Sequence, residues 1–244
     1  MSGPANSTFP LPAFQRPPMV RNPINRSQPM PRRKAPSRKS PFMVYCESAQ
    51  EEEALLRFEA SPSVLTVRSQ SRKVSYQLAG KERHSTPDFE LGLDDGQTVL
   101  VEIKNSTQAK RPDVAQRLVA IANAAQQQGH PYHVVTEQWI RFQPVLENLR
   151  LLSRWRSTAT VSGYQPVLDD LRDALPMPFR EAAQRLGGQA ITAAYVLANR
   201  LHMNLLEKVD QSSPVFAEPH SATATILELP WQSQQGRQIS GGAQ

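Results

Sequence analysis

Between residues 61 and 136 apolar and polar positions alternate in short runs broken by turn residues. Val64–Ser69 and Val74–Leu78 read as strands, with the polar turn Ser71-Arg72-Lys73 between them. Residues 85–91 and 98–104 read as two further strands around Asp94-Asp95-Gly96, a hairpin signal. Upstream the period lengthens: Glu51, Leu55 and Phe58 fall at i, i+4 and i+7, one stripe of a helix over 47–60. Residues 112–128 repeat that spacing through Val114, Leu118, Ile121, Ala122 and Ala125, and Gly129 closes the helix. Residues 132–136 read as a buried strand and 144–155 as a helix. The order helix, antiparallel strands, helix, strand, helix predicts an α/β fold, a mixed sheet flanked by helices.

Two charged residues break the most apolar of these strands. Glu102 and Lys104 interrupt the run Val99, Leu100, Val101, Ile103, and two positions apart they leave the same face. A three-residue loop at Asp94 to Gly96 sets Asp88 opposite Glu102, each seven positions from Asp95. A two-residue loop would set Asp88 against Ile103 instead. Opposed carboxylates repel, so a cation between them is called for, and Lys104 adds a positive charge beside it. Glu51 continues an apolar stripe and so carries a third carboxylate inward, whereas Glu52 and Glu53 point away from that line. Oxygen donors of this kind suit Mg²⁺ or Mn²⁺, with two ions expected in a phosphodiester hydrolase. Solvated hairpin charges, or an ion-pair cluster joining helix to sheet, are the competing readings. For Glu51 the competing reading is a favourable place in the first helical turn. His84 and His133 lie near the region and receive no role.

Composition adds a partner. The chain of 244 residues has a net charge of +6, 21 prolines and one cysteine, Cys46. That leaves neither an internal disulfide nor a Cys-based zinc site, and the excess of positive charge favours a polyanion, nucleic acid first. Residues 1–40 hold nine prolines and eight Lys or Arg with no acidic residue, the composition of a disordered basic arm. Arg32, Arg33, Lys34, Arg38 and Lys39 are its expected DNA contacts, and Lys110 and Arg111 are others at the start of the helix after the hairpin. No apolar run reaches the roughly 18 residues that span a bilayer. A cytoplasmic protein that acts at the nucleoid is expected.

The chain divides into the arm 1–40, an α/β domain 41–158 that carries the candidate site, a docking domain 159–216 and a flexible tail 217–244. Helices over 166–175, 179–186 and 190–202, the turn Gly187-Gly188, and strands over 205–209 and 214–216 outline a winged-helix-like unit. It is poor in base-reading side chains, so it is as suited to protein as to DNA. The tail carries one apolar patch, Ile226, Leu227, Leu229 and Trp231, read as a segment that orders on a partner or as inert.

Pro87-Asp88-Phe89 followed by Val101-Glu102-Ile103-Lys104 resembles the PD-(D/E)xK restriction-endonuclease-like nucleases. Glu47-Ser48-x-x-Glu51, Ser61-Pro62-x-Val64, a strand ending in Gln70, Thr86-Pro87-Asp88-Phe89 and the segment 134–155 narrow this. Together they are similar to the TnsA endonucleases of heteromeric transposons, over about residues 44–156. The resemblance implies an active site of Glu51, Asp88, Glu102 and Lys104, the three carboxylates on Mg²⁺ or Mn²⁺. It implies double-stranded DNA nicked at the 5′ ends of a transposon, a DDE-type transposase partner for the 3′ ends, and an AAA+ regulator. Gln50 stands where the family often has an apolar residue, which leaves Glu52 as the neighbouring candidate for the helical carboxylate. Another nuclease of this fold, such as a restriction enzyme or resolvase, and an inactive DNA-bridging adaptor are the alternatives.

Overall fold

The computed structural model of the chain describes residues 33–155, 165–219 and 221–232. In chain order the elements of the first part are β1 (Arg33–Ala35), β2 (Val44–Cys46), α1 (Ala49–Ala60), β3 (Val64–Ser69), β4 (Val74–Leu78), β5 (Lys81–Ser85), β6 (Phe89–Leu93) and β7 (Thr98–Ile103). Then come α2 (Ser106–Ala109), α3 (Pro112–Gln127), β8 (Tyr132–Val135), α4 (Glu137–Ile140) and α5 (Val145–Trp155).

The central sheet has the order β3-β6-β7-β8. β6 runs antiparallel to both of its neighbours, and β8 lies parallel to β7 across the α3 crossover. Val67, Phe89, Leu91, Val99, Val101 and Val135 line one face under α1, where Phe58 meets Phe89 edge-on at 5.4 Å. Leu100 lines the other face with Val74, Tyr76, Ile121 and Ala125, beneath α3 and β4. The period-2 pattern of β7 thus buries both faces, as a strand between two helical layers must.

β5 escapes the hydrophobic pattern because Lys81-Glu82-Arg83-His84-Ser85 has no apolar residue. It forms by pairing with β4 across the loop Ala79-Gly80, whose positive φ values of 52° and 71° suit a tight hairpin. The strand expected over 85–91 starts later, at Phe89, because Pro87 has no N–H to give to a ladder.

The basic arm is corrected where it is described. Residues 33–40 are tied to the domain, although Arg33, Lys34, Pro36 and Arg38 stay exposed: β1 pairs with β2, and Lys39 Nζ donates to the carbonyls of Phe58 at 3.0 Å and Ser61 at 2.6 Å. Arg38 N–H donates to Glu59 at 2.7 Å, and its guanidinium to the Ala194 carbonyl at 2.5 Å. Carbonyls at a helix C-terminus recruit cations, so Lys39 serves the end of α1, while Arg38 bridges to α8 with its side chain still exposed. Arg33, exposed, pairs with Glu52 at 2.6 Å, and Lys34 lies 5.5 Å over the Tyr45 ring. Arg32 and the rest of 1–32 lie outside the described residues.

The second part comprises α6 (Gln165–Arg172), β9 (Met177–Pro178), α7 (Phe179–Arg185), α8 (Gln189–Leu197), β10 (His202–Met203), β11 (Pro214–Phe216) and α9 (Ser221–Leu227). Its small sheet has the order β10-β11-β9, all antiparallel. Two expectations change. α8 stops at Leu197, two residues short of Asn199, which takes φ 54° and donates its side-chain amide to the Ala60 carbonyl at 3.1 Å. Residues 205–209 form no strand. Asn148 of α5 donates to the carbonyls of Leu205 and Glu207 at 2.9 and 2.7 Å and accepts from Val209 N–H at 2.9 Å. One buried side chain thus takes the hydrogen bonds that a neighbouring strand would have supplied.

Val145, Leu149 and Leu152 of α5 share an apolar core with Leu168, Phe179, Tyr195, Met203 and Val215, so packing is continuous across the boundary drawn at 158. The tail is also corrected for residues 217–219 and 221–232. Leu227 enters that same core and Leu229 enters the core beneath the central sheet, fully buried. Trp231 stacks on His133 with ring centroids 4.1 Å apart and planes 5° from parallel. The apolar patch is therefore taken up by the chain itself. Residues 233–244 lie outside the described residues. Among the described residues no helix is long and apolar enough to cross a membrane.

Candidate active site

The hairpin sets the site. Leu93 N–H donates to the Gln97 carbonyl at 2.9 Å and Gly96 N–H to Leu93 at 3.1 Å, which closes a three-residue loop. Gly96 takes φ 83°, the left-handed position such loops require. The ladder then runs Gly92↔Thr98, Leu91↔Val99, Glu90↔Leu100, Phe89↔Val101, and one step further places Asp88 beside Glu102. Glu102 shares its pleat with Leu100, on the face away from α1, and Asp88 stands just ahead of β6 at the end of the sheet, within electrostatic reach of both Glu102 and Glu51.

Glu102 is 8 % exposed. Its Oε1 stands 2.6 Å from Lys104 Nζ, while Oε2 is buried with no hydrogen-bond partner among the described residues. Asp88 Oδ2 accepts the Ile103 N–H at 2.7 Å, and its carbonyl accepts from Gln70 N–H at 3.1 Å. Burial raises Asp88 well above the usual carboxylate range, and the charges of Glu102 and Glu51 push it further. Burial pulls Lys104 down, but Glu102 and Asp88 outweigh it and leave the amine above its ordinary value. Lys104 is therefore an ammonium at neutral pH, a source of positive charge and not a base.

Glu51 is buried too, but its carboxylate is turned into the start of its own helix. Ser48 is the N-cap: its hydroxyl accepts from Glu51 N–H at 3.2 Å and donates to Glu51 Oε1 at 2.8 Å, while Oε2 accepts from Glu47 N–H at 2.7 Å. Ser48-x-x-Glu51 carries the sequence signature of a capping box, here a variant in which the Glu51 carboxylate reaches the N–H of Glu47, one residue ahead of the cap. Burial raises the Glu51 carboxyl above its ordinary value, with Glu47 adding to it. Glu52 faces elsewhere, in the pair with Arg33. Glu53, expected to point outward, is buried between Arg141 at 2.7 Å and Arg150 at 2.5 Å, where it ties α1 to α4 and α5.

The donor set suits a hard divalent cation. Asp88 and Glu102 are carboxylates on one face, and the inner oxygen of Glu102 is unsatisfied. As the side chains stand, no three His, Cys, Asp or Glu among the described residues are close enough to hold one metal ion. Mg²⁺ commonly needs only one or two protein carboxylates, so Asp88 and Glu102 meet that demand, and Glu51 would join them by leaving its cap. Glu90, on the same face, is already neutralised by Arg72 at 3.0 Å, Arg68 at 3.5 Å and the Ser71 hydroxyl at 3.0 Å.

Lys110 and Arg111 are exposed at the corner between α2 and α3, and Arg111 pairs with Asp113 at 3.2 Å. His84 shares a hydrogen bond with Ser75 at 3.0 Å, and His133 carries the Trp231 stack. Sequence reasoning overlooked two local supports. Gln50 donates to the Lys104 carbonyl at 3.3 Å and ties α1 to the end of β7. Glu137 accepts from both the N–H and the hydroxyl of Ser106, which pins the turn that follows Lys104. Each is a lone polar residue on a helix, with no pattern to mark it.

A mixed sheet with helices on both faces, bearing an acidic pair and a lysine at the ends of its central strands, defines a restriction-endonuclease-like nuclease fold. Residues 61–137 match the family model for the TnsA-like endonuclease N-terminal domain. The matched stretch contains Asp88, Glu102 and Lys104, while Glu51 lies just ahead of it. No curated protein matches the chain.

Proposed function

We propose that this chain is the metal-dependent DNA endonuclease subunit of a heteromeric transposase, nicking the 5′ ends of a transposon. The observation that carries the reading is the opposition of Asp88 and Glu102 with Lys104 clamped at 2.6 Å, inside the stretch that matches an endonuclease family. Hydrolysis joins a water oxygen to phosphorus as a P–O ester bond breaks. The water loses a proton and the departing alkoxide gains one. Lys104 supplies positive charge to the pentavalent phosphate, on which negative charge builds. Asp88 and Glu102 would hold Mg²⁺ or Mn²⁺, which neutralises phosphate charge and lowers the pKa of water. A second ion and Glu51 as a further ligand belong to the same proposal.

The partners in this reading are double-stranded DNA at the transposon ends, a DDE-type transposase that cuts and joins the 3′ ends, and an AAA+ regulator. The winged-helix-like unit, α6 to β11, would dock the transposase. The test is cleavage of end-labelled donor DNA by the full chain, with and without the transposase encoded beside it, in Mg²⁺ and in EDTA. Nicks at the 5′ ends that need both Mg²⁺ and the transposase are expected. Unchanged cleavage in EDTA would overturn the metal, and vigorous cleavage of any plasmid by the chain alone would overturn the dependence on a partner.

A further inference from the structure

We propose that Tyr132 is a positioning residue for Glu102, its buried hydroxyl holding Glu102 Oε2 through one bridging water. The relevance to catalysis rests on the nuclease reading of Glu102; the link between the two side chains does not.

The register places them. Leu100 pairs with Tyr132 and Glu102 with Val134, so Tyr132 lies one pleat along from Glu102 on an adjacent strand. Alternate residues share a face. Leu100 and Tyr132 pack with Val74, Tyr76, Ile121 and Ala125, on the face from which Glu102 emerges. Two atoms there are buried with no hydrogen-bond partner among the described residues: Tyr132 Oη and Glu102 Oε2. One is a donor and the other an acceptor, and no direct hydrogen bond joins them.

Buried polar atoms are rarely left unsatisfied, and a buried water needs two or more polar partners, which this pair supplies. A tyrosine hydroxyl is protonated at neutral pH and hence a donor. Glu102 is then positioned at both oxygens, Oε1 by Lys104 and Oε2 by the water on Tyr132, which leaves Oε2 a second lone pair for a cation. Carboxylates that hold metals are themselves commonly hydrogen-bonded in this way.

The test is a double-mutant cycle on metal-free full-length protein, read as thermal midpoint, with Tyr132→Phe and Glu102→Met. Tyr132→Phe is expected to lower the midpoint by roughly 2–4 °C, and to lower it no further once Glu102 is Met. Equal shifts in both backgrounds, or a stabilising Tyr132→Phe, would overturn the proposal. Titration with Mn²⁺ alone, followed by its paramagnetic resonance, is expected to show about tenfold weaker binding in Tyr132→Phe. Unaltered affinity would overturn the positioning role. A crystal structure of the unsubstituted protein keeps the idea open to refutation should Phe prevent folding. Density within hydrogen-bond distance of both oxygens supports it, and either oxygen bonded elsewhere sinks it. Coupling in the cycle without any nicking by the parent protein would retain the link and remove the nuclease reading. Nicking without coupling would do the reverse.

Discussion

Glu102 and Lys104, two residues apart on β7, hold each other at 2.6 Å while Asp88 stands across the hairpin from Glu102. Two carboxyl groups beside one ammonium compete in a buried place, and the strain shows in Asp88, held well above the usual carboxylate range by burial and by Glu102 and Glu51. That imbalance is what a divalent cation would relieve, and what a purely structural ion pair would avoid.

Asp88→Asn, Glu102→Gln and Lys104→Ala should each reduce 5′-end nicking by at least about 10²-fold and keep the fold, as judged by circular dichroism. Glu52→Gln, which removes only the pair with Arg33, should nick normally. Wild-type nicking by Lys104→Ala would dismiss the site.

Ser48 and Glu51 separate capping from catalysis. Ser48→Ala should cost about 1 kcal/mol of stability and retain nicking once folded. Glu51→Gln should lose nicking by more than its loss of stability explains. If both variants lose stability alike and both nick, Glu51 is only a cap. Denaturant titration beside a strand-specific cleavage assay makes the comparison.

Lys39 gives a pH dependence whose sign is fixed. Burial lowers its amine to about 8, against a partial pull upward by Glu59. Between there and the ordinary lysine value the unfolded chain binds more proton than the folded one, so stability rises with pH across that window. Denaturant midpoints from pH 8 to 10 should show the rise, and Lys39→Met should lose it. A fall with pH that Lys39→Met abolishes would contradict the burial of this amine.

Cys46 is fully buried, and burial, then Glu51, Glu52 and Asp88, push its thiol up to about 12. It should react with a thiol reagent at pH 8 only after unfolding. Fast labelling of the native chain would show that β2 opens beside the site.

Leu229→Ala should cost about 2–5 kcal/mol, because its side chain fills the core beneath the central sheet. A deletion from Glu228 onward, which removes both Leu229 and Trp231, should unfold at lower denaturant. An unchanged midpoint would return this segment to the status of a loose tail.

The local period of apolar residues, with the turn residues Asp94-Asp95-Gly96, was enough to place the strands of the central hairpin, the loop length and the opposition of Asp88 and Glu102. These are short-range matters: pleat and loop decide which side chains face one another. Where partners come from far along the chain, the pattern was silent. Lys39 looked like a phosphate contact until the carbonyls of Phe58 and Ser61 claimed it. Residues 205–209 looked like a strand until Asn148 took their hydrogen bonds, and Leu229 and Trp231 found their cover in the same chain. Tertiary structure decided these because a polar or apolar group takes whichever partner folding brings within reach, and sequence spacing does not record that partner.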